Sequence, residues 1–210
     1  TESSYPISEA WLGKTLKLTK TNAEPESNSD EQVLIIPARP AAPSGIGTVA
    51  ASAYYTNDGK LTGLKLGMKY CVHGTQNWYS DVEGEVTGLK TGKYEIRVKE
   101  TESSFIGHPT FVTIGYKSLT LTEDTAYAIP EGVVDTEIEE VDISRAVKGG
   151  RTPYVFSKES GPDWLQVDWQ GKITGTRPST ETAATTAVIK VTDKDNTVQT
   201  FTIAVGAVTK

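Results

Sequence analysis

Short alternations of apolar and polar residues recur along the chain. Leu16-Lys17-Leu18, Tyr94-Glu95-Ile96-Arg97-Val98, Phe111-Val112-Thr113-Ile114, Ala187-Val188-Ile189-Lys190-Val191 and Phe201-Thr202-Ile203-Ala204-Val205 each present one apolar and one polar face. A repeat of two is the signature of a half-buried β-strand. Gly, Pro, Asn and Asp clusters interrupt these segments roughly every 8–12 residues, the spacing of a β-sandwich. The strongest helical stretch, Val141–Val147, is too short to stand as a helix. The pattern predicts an all-β fold.

The segments fall into three groups. Residues 13–37 read GKTLKLTKTNAEPESNSDEQVLIIP and residues 92–115 read GKYEIRVKETESSFIGHPTFVTIG. Both run Gly-Lys, strand, Lys-and-Thr turn, polar loop and second strand, and Ile7-Ser8 sits where Val86-Thr87 sits. The interval, about 79 residues, is domain-sized rather than solenoid-sized. Each hairpin reads as the closing hairpin of one of two related modules, the first represented by residues 1–37. Chance similarity between Thr-rich hairpins is the alternative. Pro37-Ala38-Arg39-Pro40-Ala41-Ala42-Pro43 reads as a semi-rigid polyproline spacer, or as a proline-broken edge strand opening the module 38–115. Residues 116–210 form a different module, closed by two long strands around the Asp193-Lys194-Asp195-Asn196 turn. Trp164 and Leu165 are adjacent and cannot both face inward on a regular strand, so a bend is expected there.

Composition sharpens this picture. Twenty-nine of 210 residues are Thr and one is Met, which favours pleated, half-exposed surface over helix. The length allows one large or two small domains. The single Cys71 excludes an intrachain disulfide or a multi-Cys metal site, and two His leave little for zinc or triad chemistry. The net charge of −6 argues against nucleic acid or an anionic membrane as the main partner. No apolar run is long enough for a membrane-spanning helix. The chain opens without a signal-like segment and closes without an anchor. It therefore reads as a piece of something longer, with any targeting signal outside it.

The opening PARPAAP, the GKLTGL strand, MKYCV followed by NWY, and VTGLKTGKYEIRVKET resemble a tandem immunoglobulin-like or fibronectin type III-like repeat of bacterial surface proteins. Residues 1–37 resemble the end of the same repeat. GGRTPYVFS, GPDWLQVD, GKITGT and VTDKDN resemble the bacterial Putative Ig domain family, akin to cadherin-like modules. Trp169-Gln170-Gly171 departs from that pattern, where a polar turn is more usual. The resemblance implies tandem immunoglobulin-like β-sandwiches: the end of one repeat (1–37), a second repeat (38–115) and a cadherin-like domain (116–210). It further implies a non-catalytic spacer, stalk or adhesion region of a secreted or cell-wall-associated bacterial protein. Its partners would be neighbouring domains of the same polypeptide, and a glycan or a host or cell-surface protein. The alternative is a carbohydrate- or other ligand-binding module. The motifs are made of core and turn positions, so they speak for fold more than activity.

Candidate chemistry is sparse. Trp169 with Tyr154 is the best exposed aromatic pair for a ligand, while Trp78 and Trp164 are expected in cores. Asp193, Asp195 and Asn196, joined by Asp135 or Glu131, offer oxygens for calcium, but the EF-hand pattern is absent and these residues also suit a plain turn. No cofactor is otherwise expected. Glu137, Glu139, Glu140 and Asp142 alternate with Ile138 and Val141, as a solvated strand face does. Cys71 lies in an apolar strand and reads as buried and inert. His73 would share its strand face. Lys69 and Lys93 lie near apolar strands, where an intramolecular isopeptide bond would need a buried Asn or Asp partner that the sequence does not fix. No GxSxG elbow is present. The chain is not expected to be an enzyme.

Overall fold

A computed structural model describes residues 6–19, 31–122 and 127–210. The polar loop of the first hairpin, residues 20–30, lies outside the described residues. In chain order the strands are β1 (Thr15–Thr19), β2 (Glu31–Ile35), β3 (Gly47–Val49), β4 (Gly59–Leu64), β5 (Met68–Val72), β6 (Tyr79–Ser80), β7 (Gly84–Leu89), β8 (Gly92–Val98), β9 (Thr110–Ile114) and β10 (Thr120–Leu121). They continue with β11 (Ala128–Ile129), β12 (Gly132–Val133), β13 (Val141–Asp142), β14 (Val147–Lys148), β15 (Val155–Ser160), β16 (Leu165–Val167), β17 (Lys172–Gly175), β18 (Thr185–Thr192), β19 (Val198–Val205) and β20 (Val208–Thr209). Helix among the described residues is confined to two single 3-10 turns, Glu9–Trp11 and Ser144–Ala146. The fold is all-β, as the alternation predicts.

Two compact units divide the chain. One comprises Thr1–Thr48, Leu61–Val86 and Gly92–Thr113, the other Val49–Lys60, Thr87–Thr91 and Ile114–Lys210.

In the first unit β5 is the inner strand of a four-stranded sheet ordered β6-β5-β8-β9. It pairs antiparallel with β8 from Met68↔Val98 to Val72↔Tyr94. Leu61, Tyr70, Cys71, Tyr94 and Ile96 are buried. β1 and β2 form a separate antiparallel hairpin from Thr15↔Ile35 to Thr19↔Glu31. Where the repeat suggests a strand near Ile7-Ser8, the chain makes the 3-10 turn Glu9–Trp11 instead. Ser8 caps it by accepting the Ala10 N–H at 3.2 Å, the local side-chain bond that favours turns over strands. The proline-rich stretch is tied down: Pro40 O accepts the His108 N–H at 3.0 Å, and Arg39 donates to Ile106 O at 3.1 Å.

The second unit holds a sandwich of two main sheets. One is ordered β11-β19-β18-β15, the other β13-β17-β16. β18 and β19 pair antiparallel over eight residues, from Thr185↔Val205 to Thr192↔Val198. Side chains alternate across a pleat, so Ala187, Ile189 and Val191 turn inward with Phe201, Ile203 and Val205. Phe156, Leu165, Ile173, Ile138 and Ile143 join the same cluster. The stretch Val141–Val147 resolves into a short strand, the 3-10 turn and the start of β14. The expected bend at Trp164 is present. Trp164 lies in a turn, half-buried against the cluster, while Leu165 is fully buried in β16. Gly175 lets the Trp164 carbonyl approach, since a Cβ there would lie 2.3 Å from that oxygen.

Candidate functional site

A polar cluster of the second unit surrounds the Gly149-Gly150-Arg151 loop. Gly149 and Gly150 take φ of +76° and +61°, a left-handed conformation in which a Cβ is disfavoured. A Cβ on Gly150 would also meet Asp193 Oδ2 at 2.5 Å. Glycine thus brings the loop backbone against the β18–β19 hairpin. Asp193, buried at 4% exposure, spends its carboxylate there. Its Oδ1 accepts the N–H groups of Asp195 at 3.0 Å and Thr197 at 2.8 Å, and its Oδ2 accepts that of Arg151 at 3.1 Å. The Lys194 N–H returns to Arg151 O at 2.8 Å.

The other side of the loop continues the chain of bonds. The Tyr54 N–H donates to Gly150 O at 3.1 Å, and Gly150 N–H to Lys117 O at 2.8 Å. Ala51 and Lys117 close the ladder, through Ala51 N–H to Gly115 O and Lys117 N–H to Ala51 O, both at 2.9 Å. The Arg151 guanidinium lies 4.2 Å over the Tyr54 ring and pairs with Asp195 Oδ1 at 3.2 Å. Tyr116 donates its hydroxyl to Asp195 Oδ2, and its ring meets Tyr54 edge-on at 5.2 Å. The Tyr116 hydrogen bond, with Arg151 adding to it, holds the Asp195 carboxyl below its ordinary value. The same bond raises the Tyr116 phenol.

Three of the residues singled out in the sequence thus converge on one loop. Asp193 and Asp195 flank it, and Tyr154 donates its hydroxyl to Gly149 O. Asn196 takes the left-handed φ of +64° that completes the hairpin turn. Among the described residues no three His, Cys, Asp or Glu gather as a metal-holding group. Asp135 occupies its own positive-φ turn beyond β12, its N–H bonded to Pro178 O.

Trp169 stands apart from this cluster. It tips the β16–β17 hairpin at 60% exposure, in a turn closed by Asp168 Oδ1, which accepts the N–H groups of Gln170 and Lys172. The Tyr154 ring instead packs half-buried on the core cluster, and burial pushes its phenol up. No ring contact joins the two among the described residues, so the expected exposed pair reduces to Trp169. No local sequence pattern marks Tyr54 or Tyr116 as members of this cluster. Arg151 does fall inside the GGRTPYVFS motif.

A second polar group lies in the first unit. His73, Thr75, Gln76, Trp78, Glu95, Arg97 and Ile106 line a shallow groove of about 360 Å³. Glu95 is held by Arg97 Nε at 2.5 Å and His73 Nδ1 at 3.4 Å. Burial works against its charge, but these two partners outweigh it and lower its pKa. Trp78 is half-buried rather than core, with Lys69 Nζ 4.9 Å from its ring. Lys69 is buried and pairs with Glu100 at 2.5 Å. Cys71 is fully buried, and burial, with Glu95 nearby, pushes its thiol up. Its Sγ points to Thr75 O while His73 engages Glu95, so the two do not form a dyad. On the second unit Glu137, Glu139 and Glu140 are exposed around buried Ile138, as on a solvated face.

Residues 118–206, fewer than half of the chain, match the family model described as Putative Ig domain. No curated protein matches the chain. Among solved structures, an endo-fucoidan hydrolase of glycoside hydrolase family 107 aligns over 93% of this chain and 34% of its own, at 14% identity and a TM-score of 0.34. Extracellular domains 3-5 of Drosophila OTK align over 81% of this chain and 67% of theirs, at 12% identity and 0.33. Drosophila N-cadherin EC1-3 aligns over 86% and 73%, at 11% identity and 0.34. The chain spans about a third of the length of the hydrolases that it matches.

Proposed function

We propose that the chain is a non-catalytic, extracellular spacer or adhesion segment of a larger bacterial surface or secreted protein. Its parts would be the end of an immunoglobulin- or fibronectin type III-like repeat (1–37), a second such repeat (38–115) and a cadherin-like domain (116–210). The observation that supports this reading is how the polar groups of the second unit are used around the Gly149–Arg151 loop, where Asp193 accepts three backbone N–H groups and Arg151 and Tyr116 both bind Asp195. The polar side chains of the cluster are spent on backbone and on each other rather than converging on a hollow, whereas an active site needs convergent, unspent groups.

The test of the non-catalytic reading is a hydrolase screen of the whole chain on polysaccharide, peptide and ester substrates. No turnover above that of heat-denatured chain is expected. Turnover abolished by a single substitution of a polar side chain would overturn the reading. The extracellular setting is tested by protease treatment of intact producing cells, which should release peptides of this chain. Their retention inside the cells would overturn it.

A second reading rests on Trp169, an exposed indole at a hairpin tip. Flat aromatic faces stack on sugar rings, so Trp169 would carry a glycan or another ligand in an adhesive role. A glycan array with the chain and its Trp169→Ala variant separates the two. A hit abolished by the substitution supports ligand binding, and no hit leaves the spacer role.

A further inference from the structure

We infer that the groove of the first unit beside Trp78 is a binding site for a neutral oligosaccharide. The site goes beyond the spacer reading and does not use Trp169, so either glycan assignment can fail alone.

Strand parity sets the floor of the groove. Glu95 and Arg97 are two apart on β8 and share a face. Their partners on β5 are Cys71 and Lys69, and His73 continues that face past the end of β5. Gly74 takes φ of +85° and turns the chain back after His73. Thr75 then bonds to Val72 O through its N–H at 3.0 Å and its hydroxyl at 2.8 Å. The returning loop meets Cys71 Sγ with Thr75 O, and it carries Gln76 and Trp78. Ile106 forms a further wall. It is held by the Gly107 N–H, which donates to Val98 O at 3.0 Å, and by Arg39, which donates to Ile106 O at 3.1 Å. The groove, about 360 Å³, is thus built by internal bonds before any ligand arrives, which lowers the cost of binding.

The polar groups here differ from those around Gly150 in having capacity left over. Each Glu95 oxygen accepts one bond, Oε1 from Arg97 Nε and Oε2 from His73 Nδ1, and a carboxylate oxygen can accept two. Arg97 also donates Nη1 to Gly107 O at 3.1 Å, and its Nη2 has no acceptor among the described residues. The Gln76 amide, exposed in the loop, has no partner among them either. Burial works against the charge of Glu95, but Arg97 and His73 outweigh it and keep the carboxyl ionised. The Glu95–Arg97 pair carries no net charge, which favours a neutral ligand. A hydroxyl donates and accepts from one atom, and neighbouring ring hydroxyls suit the fork of a carboxylate or a guanidinium. Trp78 supplies a flat apolar face for the C–H side of a sugar ring. Lys69 Nζ stands over one face of that indole at 4.9 Å, and the sugar takes the other. Among the described residues one carboxylate lines the groove, whereas glycoside cleavage takes two, so the site binds without cleaving.

Amide NMR titration of residues 1–210 with neutral tetrasaccharides of the gluco, manno, galacto and xylo series, α- and β-linked, tests this. The Trp78 indole N–H and the amides of residues 73–78 and 95–97 should shift together with at least one of them, at a Kd of about 0.1–1 mM. Trp78→Ala should weaken binding at least about 10-fold. Gln76→Ala, which breaks no bond among the described residues, should weaken it about 5-fold with the remaining amide shifts unchanged. Trp169→Ala should leave the affinity as it is. No shift with any tetrasaccharide at about 10 mM overturns the inference. So does binding that survives both Gln76→Ala and Trp78→Ala. Shifts at these residues from tetragalacturonate or a proline-rich peptide alone overturn it as well, by making an acid or a polypeptide the ligand.

Discussion

Replacing Asp193 measures how much the β18–β19 turn and the Gly149–Arg151 loop depend on one carboxylate. In Asp193→Ala three backbone N–H groups, those of Asp195, Thr197 and Arg151, lose their acceptor at a site that is 4% exposed. An unsatisfied buried donor costs roughly 1–3 kcal/mol. Three of them, partly relieved by water entering the vacated space, come to about 3–5 kcal/mol. Asp193→Asn is the finer probe. Its carbonyl oxygen can keep Asp195 and Thr197, but its NH₂ then faces the Arg151 N–H, donor against donor. One bond and the charge assistance to the others are lost, about 2 kcal/mol. With a urea slope of about 1.5 kcal/mol per molar, the midpoint falls by roughly 1.3 M for Asn and at least about 2 M for Ala. Fluorescence of Trp164 and Trp169 reads this unit once Trp11 and Trp78 are replaced by Phe. An Asn variant with the parent midpoint, or an Ala variant no worse than Asn, would refute the view that the carboxylate closes this corner.

Gly150→Ala should destabilise the second unit by about 2–3 kcal/mol, from the positive φ and the displaced Asp193 oxygen. Exchange protection at the Asp195 and Thr197 amides should fall first, and parent-like protection there would count against the proposed packing. Asp58 accepts from Ser52 N–H and Thr56 Oγ1, and the Thr56 bond first, then Ser52, lowers its pKa from 3.8 to about 2. A folded value below the unfolded one stabilises above about pH 4, and this contribution is lost as pH falls through about 2. Carboxyl NMR titration should place the Asp58 midpoint near 2, and a midpoint near 4 would refute this cap. Cys71 should resist Ellman's reagent in the native chain and give one equivalent of thiol in urea. Rapid native labelling would contradict its burial. If Asp193 is committed to backbone N–H groups, excess EGTA and added calcium should give the same urea midpoint, and a calcium-dependent rise would restore the turn as a metal site.

Strands were legible wherever burial has a period of two. Ile189 and Val191 alternate with Lys190 and Thr192, and the pleat turns that sequence pattern directly into an inner and an outer face. The bend at Trp164-Leu165 followed from the same parity. Parity also bore on Tyr154, two residues from Phe156 and hence on its inward face, a signal outweighed by the expectation of an exposed aromatic pair. Trp78 was expected in a core because it is large, yet it follows β5 in a loop, where no sheet face covers both sides of the indole. The Gly150 corner was not legible. Its partners Tyr54, Lys117 and Asp193 come from distant segments, and nothing in local periodicity pairs them. What the sequence did offer was two adjacent glycines before Arg151, which marked a tight turn without naming what it turned against.

Several polar and charged side chains of the second unit, Asp193 and Tyr154 among them, share one structural task. Where strands end, backbone groups leave the ladder and need other partners. Asp193 accepts three such N–H groups. Lys158 donates to Pro162 O at 2.6 Å and Leu165 O at 2.8 Å. Arg177, buried at 7% exposure, donates to Pro130 O at 3.1 Å and Glu137 O at 3.3 Å. Tyr154 does the same for Gly149 O. A charged side chain bound to loop backbone is fixed in place and loses the freedom to take up a proton or a substrate. The same bonds hold the loops against the strand ends, so the carboxylate of Asp193 and the cations of Lys158 and Arg177 close the ends of the sandwich.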